Sequence, residues 1–305
     1  MAEEEVKQKK KMPRWKKWII GLLVTILVIS SILVGGYFFV REKYEIDILK
    51  VLRQLKTLSR PVDENEICPN KFNIRTDMVD VQTEVNKSVE GMISYSEEAG
   101  YSVEFEDLPD EMKQIISLTD KQVGALAQTI VQQEMEGKIN IDVAELPIDI
   151  KQVEFSNLKE DGSATLNIVI RLDIRPLKDM IGGFPINLLK SRISNYLYVS
   201  STVDVVKNAE PFKYDIIHNS FTVNNLDAEN TEDLFKTLDK ILKIGSAESL
   251  NVKIGETVMQ SLVGDDYHNG LAYSLKDLGV VSAKDFAFKL NSKGEESFVV
   301  LRKEI

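Results

Sequence analysis

Cysteine, histidine and tryptophan are almost missing from this chain: one Cys, two His and two Trp in 305 residues. With Cys68 alone no internal disulfide can form, so the fold must rest on its core. His218 and His268 leave little material for a Ser/His/Asp triad, which needs a base oriented by an acid. His218 lies in the alternating stretch "YDIIHNSF", with Ser220 expected on the same strand face, and reads as a surface or turn histidine. Trp15 and Trp18 both stand near the N-terminus, so nothing downstream offers the indole platforms common in sugar clefts. No Gly-rich phosphate loop occurs either. Gly182 and Gly183 run into Phe184 and Pro185, which has no N–H to give a phosphate, and they read as a bend.

Catalytic and metal signatures are equally scarce. Ser156 and Lys159 form an S-x-x-K, but it falls where a strand enters a turn, and neither S-D-N nor K-T-G follows. The many carboxylates show no distinctive pair for glycoside cleavage. In "GDDYHNG", Asp265, Asp266, His268 and Asn269 match no established ligand spacing, so the stretch reads as a solvated turn. The chain is therefore expected to be non-enzymatic, with a hydrolase as the enzyme class left over, and to need no metal or cofactor.

Cations are short beyond residue 40. Residues 41–305 hold 31 Lys and Arg against 45 Asp and Glu, a net charge of −14. That balance disfavours nucleic acid, anionic lipid head groups and anionic wall polymers as partners. The abundance of Lys, Ile, Asn and Glu fits a low-GC bacterium.

Long apolar runs are absent with one exception. Trp18 to Val40 is 23 residues without a charge. As a helix it reaches roughly 34 Å, enough for a hydrocarbon core of about 30 Å. A secretory signal has a shorter apolar region and a small-residue cleavage site, whereas this run ends in "GGYFFV". It is expected to be an uncleaved anchor. Lys7, Lys9, Lys10, Lys11, Arg14, Lys16 and Lys17 precede it, and only Arg41 and Lys43 follow closely. The positive-inside bias then holds the N-terminus in the cytoplasm and sends the C-terminal bulk across the cell membrane. Trp15, Trp18, Tyr37 and Phe38 suit the two aromatic belts. Ser31 and Gly35 form one small-xxx-small pair.

The expected organisation is a basic leader (1–17), a transmembrane helix (18–40), a helical stalk (41–61) and an extracytoplasmic α+β domain (62–305) with a core unit at 115–245. Tyr44, Ile48, Val51, Leu55 and Leu58 make a heptad-spaced seam in the stalk, able to pair with another copy or dock on its own domain. "PVDENEICPNKF" reads as a polar linker. Met78, Val81, Val85, Val89 and Met92 predict a helix capped at Thr76 or Asp77, and "MISYSEEAGYSVEFED" a hairpin. Thr119 and Gln122 have capping-box spacing ahead of Val123, Leu126, Ala127, Ile130 and Val131.

The period then changes to two. "IDIKQVEFSNL" and "SATLNIVIRLDI" predict a hairpin turning near Asp161 and Gly162, and "NYLYVSSTVDVVKN" with "FKYDIIHNSFTVNNL" a second one. A helix is expected from Asn230, with Leu234, Phe235, Leu238, Ile241 and Leu242 on one face. Past Gly245 the pattern predicts only a short helix around Val258–Leu262 and a closing hairpin, "DFAFKL" with "SFVVLRK". The fold class is thus α+β: long antiparallel hairpins with packed amphipathic helices behind an N-terminal transmembrane helix.

In this order, "SLTDKQVGALAQTIV", "VEFSNLKEDGSATLNIVIRLDI" and "YLYVSSTVDVVKNAEPFKYDIIHNSFTVNNL" resemble the YpmS-like family of single-span extracytoplasmic bacterial proteins. More distantly the order is similar to tubular lipid-binding (TULIP-like) domains, where a long curved sheet wraps a helix around an apolar channel. The resemblance covers roughly half of the exported part and implies lipid handling or an envelope-assembly role. It carries over no catalytic residue.

Two readings follow from the chain itself. In one, the hairpins and helices enclose a lipid-sized groove, lined by Leu166, Ile168, Ile170, Leu172, Val203, Val205, Leu234 and Leu238; the same residues serve equally as ordinary core. In the other, the domain is a structural or interaction module of the envelope, taking a protein partner or forming a homo-oligomer through the stalk.

Overall fold

The computed structural model describes residues 42, 47–90, 93–97, 100–103, 114–134, 136–141, 144–180, 194–242, 245–264, 270–272 and 283–302. The expected transmembrane helix at 18–40, the "GDDYHNG" residues 265–269 and the Gly182–Pro185 bend lie outside them. Among the described residues no helix is long and apolar enough to cross a membrane. The chain divides into two compact units, Met1–Arg53 and Gln54–Ile305.

The fold is α+β with antiparallel sheets. Helix α1 (Ile48–Leu58) opens the described chain, followed by the short α2 (Glu64–Ile67), α3 (Ile74–Glu90) and a small hairpin, β1 (Ile93–Ser96) with β2 (Gly100–Val103). Strand β3 (Gln114–Thr119) runs straight into α4 (Asp120–Glu134). Five strands then follow in chain order: β4 (Lys138–Ile141), β5 (Ala144–Ser156), β6 (Ala164–Asp173), β7 (Tyr196–Lys207) and β8 (Tyr214–Val223). They form one meander, β4-β5-β6-β7-β8, so the two expected hairpins join along β6 and β7. The short helix α5 (Arg175–Met180) starts the β6–β7 connection. Helices α6 (Ala228–Leu242) and α7 (Ala247–Leu262) come next, and β9 (Ala283–Leu290) with β10 (Glu296–Arg302) form a second sheet in the order β3-β10-β9.

Local chemistry accounts for most of these boundaries. Gln122 Oε1 accepts the Thr119 N–H at 2.9 Å, the returning half of the capping box. Helix α3 starts two residues before the expected cap because Asn73 accepts the Arg75 N–H at 3.0 Å. The β5–β6 turn closes on Gly162 at φ +85°, a conformation suited to glycine, with the Ser163 N–H donated to Asp161 at 2.8 Å.

The inner face of the meander is aliphatic. Ile148, Ile150, Val153 and Phe155 of β5 share it with Leu166, Ile168, Ile170 and Leu172 of β6 and Val199, Val203 and Val205 of β7. Helices α4 and α7 pack on it, α4 over β5 and α7 over β7 and β8. At the hairpin tips β9 seals the core: Phe288 N–H donates to Gly162 O at 2.9 Å, and Phe155, Phe286, Phe288 and Phe298 form an aromatic cluster. One continuous core runs from Leu58 to Val300, so α7, β9 and β10 belong to it alongside the 115–245 unit.

Two expectations are corrected. The predicted short helix at Val258–Leu262 is a 16-residue helix, capped by Ser246 through the Ser249 N–H at 3.0 Å. Its aliphatics recur in steps of four (Leu250, Ile254, Val258, Leu262), with Asn, Gly, Thr and Ser interspersed, which blurs the apolar stripe. The "PVDENEICPNKF" stretch, read as a linker, is a strap across the outer face of the meander. Asn70 N–H donates to Gln152 Oε1 at 3.0 Å, and the Tyr198 hydroxyl to Glu64 Oε2 at 2.8 Å.

Candidate functional site

The eight proposed groove residues come together. Leu166, Ile168, Ile170, Leu172, Val203, Val205 and Leu234 are each no more than 3% exposed, and Leu238 packs partly buried against the same core. The five-stranded sheet supplies six of them, while Leu234 and Leu238 come from α6. What covers this face over β7 and β8 is the protein's own helix α7.

The contact between α7 and the sheet is chemically unlike the rest of the core. Gly255 lets the helix approach closely: a Cβ there would stand 2.9 Å from Val203 Cγ2 and 3.0 Å from Ile216 Cγ2. One turn earlier sits Asn251, fully buried. Its amide donates to Thr202 O at 2.9 Å and meets His218 Nδ1 at 2.6 Å.

His218 reaches this position through a β-bulge. The register between β7 and β8 shifts after Thr202, so Thr202 pairs with Ser220 while Val203 pairs with His218. Asn219 is the extra residue, and His218 and Ser220 consequently face opposite sides of the sheet. The expectation that they share a face, with His218 at the surface, is therefore corrected.

Two polar atoms at this contact are left over. Asn251 Oδ1 and Ser201 Oγ are buried without a hydrogen-bond partner among the described residues. Each such atom costs about 1–3 kcal/mol relative to a satisfied one. Helix α4 differs: its buried Gln128 accepts the Ile150 N–H at 2.5 Å, beside the β5 bulge that follows Ile150.

A second feature lies at the end of the sheet away from the hairpin tips, beside the C-terminal end of α4. A polar cavity of about 580 Å³ is lined by Gln132, Glu136, Gly137, Pro147, Ile148, Asp149, Arg171, Asp173 and Tyr196. Its charges are paired. Arg171 Nε donates to Asp149 at 3.1 Å and Arg175 Nε to Asp173 at 2.8 Å, while Lys138 meets Glu136 at 3.0 Å. The Arg171 and Arg175 guanidinium carbons lie 5.0 and 5.6 Å from the centre of the Tyr196 ring. The hydrogen bonds from Arg175 hold the Asp173 carboxyl below its usual range, so the ionised carboxylate is favoured there. Burial, aided by Glu64, raises the Tyr198 hydroxyl nearby.

The remaining candidates are structural. Ser156 Oγ accepts from Asn167 at 3.0 Å across the β5–β6 pair and does not start a helix. Cys68 is buried, and burial with the nearby Glu64 pushes its thiol up to about 11, which keeps it protonated and inert. No group of three His, Cys, Asp or Glu able to hold a metal occurs among the described residues. No family model, characterised protein or solved structure matches the chain.

Asn251 and the long α7 are what sequence reasoning missed. The four-residue steps from Leu250 behind Ser246 were a legible signal for the helix. The bulge that turns His218 inward leaves no mark in the residue pattern.

Proposed function

We propose that the chain is a non-enzymatic single-pass protein of the cell membrane, anchored by residues 18–40, with its N-terminus in the cytoplasm and its acidic α+β domain outside. The apolar run and the cations ahead of it support this topology. The exported domain binds an apolar ligand, a lipid above all, between the aliphatic face of the meander and α7.

The observation that carries this reading is the buried face of α7. It places Asn251, Gly255, Thr257 and Ser261 among the aliphatics, and Asn251 Oδ1 and Ser201 Oγ lie unpaired at the contact. That makes a closely packed contact energetically costly at its polar atoms, beside a continuous aliphatic surface. The likeness in order to YpmS-like proteins and tubular lipid-binding domains points the same way. Native mass spectrometry of residues 54–305, secreted and purified without detergent, should show an adduct of lipid mass. Uniformly unliganded protein that takes up no fluorescent fatty acid overturns the reading.

A structural or interaction module for envelope assembly or secretion is the second reading, oligomerising through the stalk. Leu49 and Leu52 of α1 are exposed, and the cavity at Arg171 and Tyr196 offers polar contacts to a protein partner. Leu55 and Leu58 of the heptad seam, in contrast, pack against the domain's own core. Sedimentation of residues 41–305 beside 62–305 separates the versions, since equal monomer masses remove the stalk oligomer.

A further inference from the structure

We infer that α7 is the gate of the apolar site: it leaves β7 and β8 as one unit, and an aliphatic chain takes its place against Leu166, Ile168 and Val203. This rests on the apolar-ligand reading above and adds the moving part and the route of entry.

Three observations single out this helix. Its two ends carry glycines at positive φ, Gly245 at +85° and Gly264 at +75°, so each end has a residue that rotates its backbone without a Cβ penalty. Asn251 ties it to the sheet at the bulge, holding Thr202 O and His218 Nδ1. The contact also keeps Asn251 Oδ1 and Ser201 Oγ dry and unpaired, which water or the polar end of an amphiphile would relieve once the helix lifts. Helix α4, on the same face, is tied to β5 by the satisfied Gln128 and runs directly out of β3 at its start, and it stays.

Gly255 allows a direct test. A Cβ built there lies 2.9 and 3.4 Å from the two Cγ atoms of Val203, so the paired variant Gly255→Cys with Val203→Cys falls near disulfide spacing, Cβ to Cβ about 3.8 Å. Cys68 is buried and does not compete. The full chain, reconstituted in phosphatidylcholine vesicles doped with a photo-crosslinking fatty acid, is irradiated in the reduced and oxidised states, and labelled peptides are mapped. Labelling of 164–172 and 196–205 in the reduced state, lost on oxidation and restored by dithiothreitol, supports the gate. Labelling of those strands in both states means that ligand enters without α7 moving; the gate then fails while the lipid reading stands.

Hydrogen exchange covers a cysteine pair that does not fold. In the native chain α7 amides should exchange well before those of β6, and Asn251→Ala, which removes the bonds to Thr202 O and His218 Nδ1, should speed them and raise labelling together. If α7 exchanges only in step with β6, the gate is overturned. If α7 opens early but the inner strands never take label, the apolar-ligand reading falls, and the gate loses its role with it.

Discussion

Asn251 puts a primary amide at the centre of an aliphatic contact, and Gln128 does the same on the neighbouring helix with a different outcome. Gln128 Oε1 accepts the Ile150 N–H beside the β5 bulge. Gln128→Ala should therefore orphan a buried N–H and cost about 1–3 kcal/mol, measurable as a lower urea midpoint with an unchanged slope. Asp173 sets part of the acid response. Its folded-state pKa lies below the ordinary 3.8 because Arg175 hydrogen-bonds the carboxylate. Such a group stabilises the fold fully above the unfolded pKa, and the contribution fades as pH falls through the folded value. Asp173→Asn should thus lower stability at neutral pH and flatten the decline below about pH 4, read from urea midpoints along a pH series.

At the scale of elements, termini and tips decide how the helices and sheets meet. Ser246 caps α7 through the Ser249 N–H. Ser246→Ala should cost about 1 kcal/mol and speed exchange of the first α7 amides, since an uncapped N–H frays the opening turn. The C-terminal hairpin closes the hairpin-tip end of the core through Phe286, Phe288 and Phe298, all fully buried. Phe288→Ala should cost about 3–5 kcal/mol, because it empties a site shared by Phe155 and Phe298, and a lower melting temperature would show it. The extent of α4 was readable from Thr119, Gln122 and the spacing of Val123, Leu126 and Ala127. Helix α7 carried a weaker signal, the four-residue steps from Leu250 behind Ser246, because Asn251, Gly255, Thr257 and Ser261 interrupt its stripe and are buried regardless.

For the whole molecule, the proposed topology and the domain's closure are separate questions. Protease added to intact cells should digest the acidic domain and spare the Lys-rich leader; the opposite pattern would invert the orientation. The alternation in residues 148–174 and 195–226 was enough to predict two hairpins, and the aliphatics of 166–174 a buried face. It could not say that β6 and β7 join them into one meander, because pairing across a connection of more than 20 residues depends on which edges meet. Nor could it say that Val203 of the candidate groove lies beneath the protein's own α7.

The chain by itself determined what depends on neighbours along the sequence: the charge-free run at 18–40, the acidic bulk behind it, the period-two strands and the capping box at Thr119. These follow from local spacing and backbone chemistry. Tertiary structure decided what depends on contacts between distant segments. The bulge at Asn219 turned His218 toward Asn251, 33 residues away, the strap at 61–72 crossed the outer face, and the C-terminal hairpin sealed the core. Burial is a property of the assembled layers, and a polar residue such as Asn251 reveals it only when those layers meet.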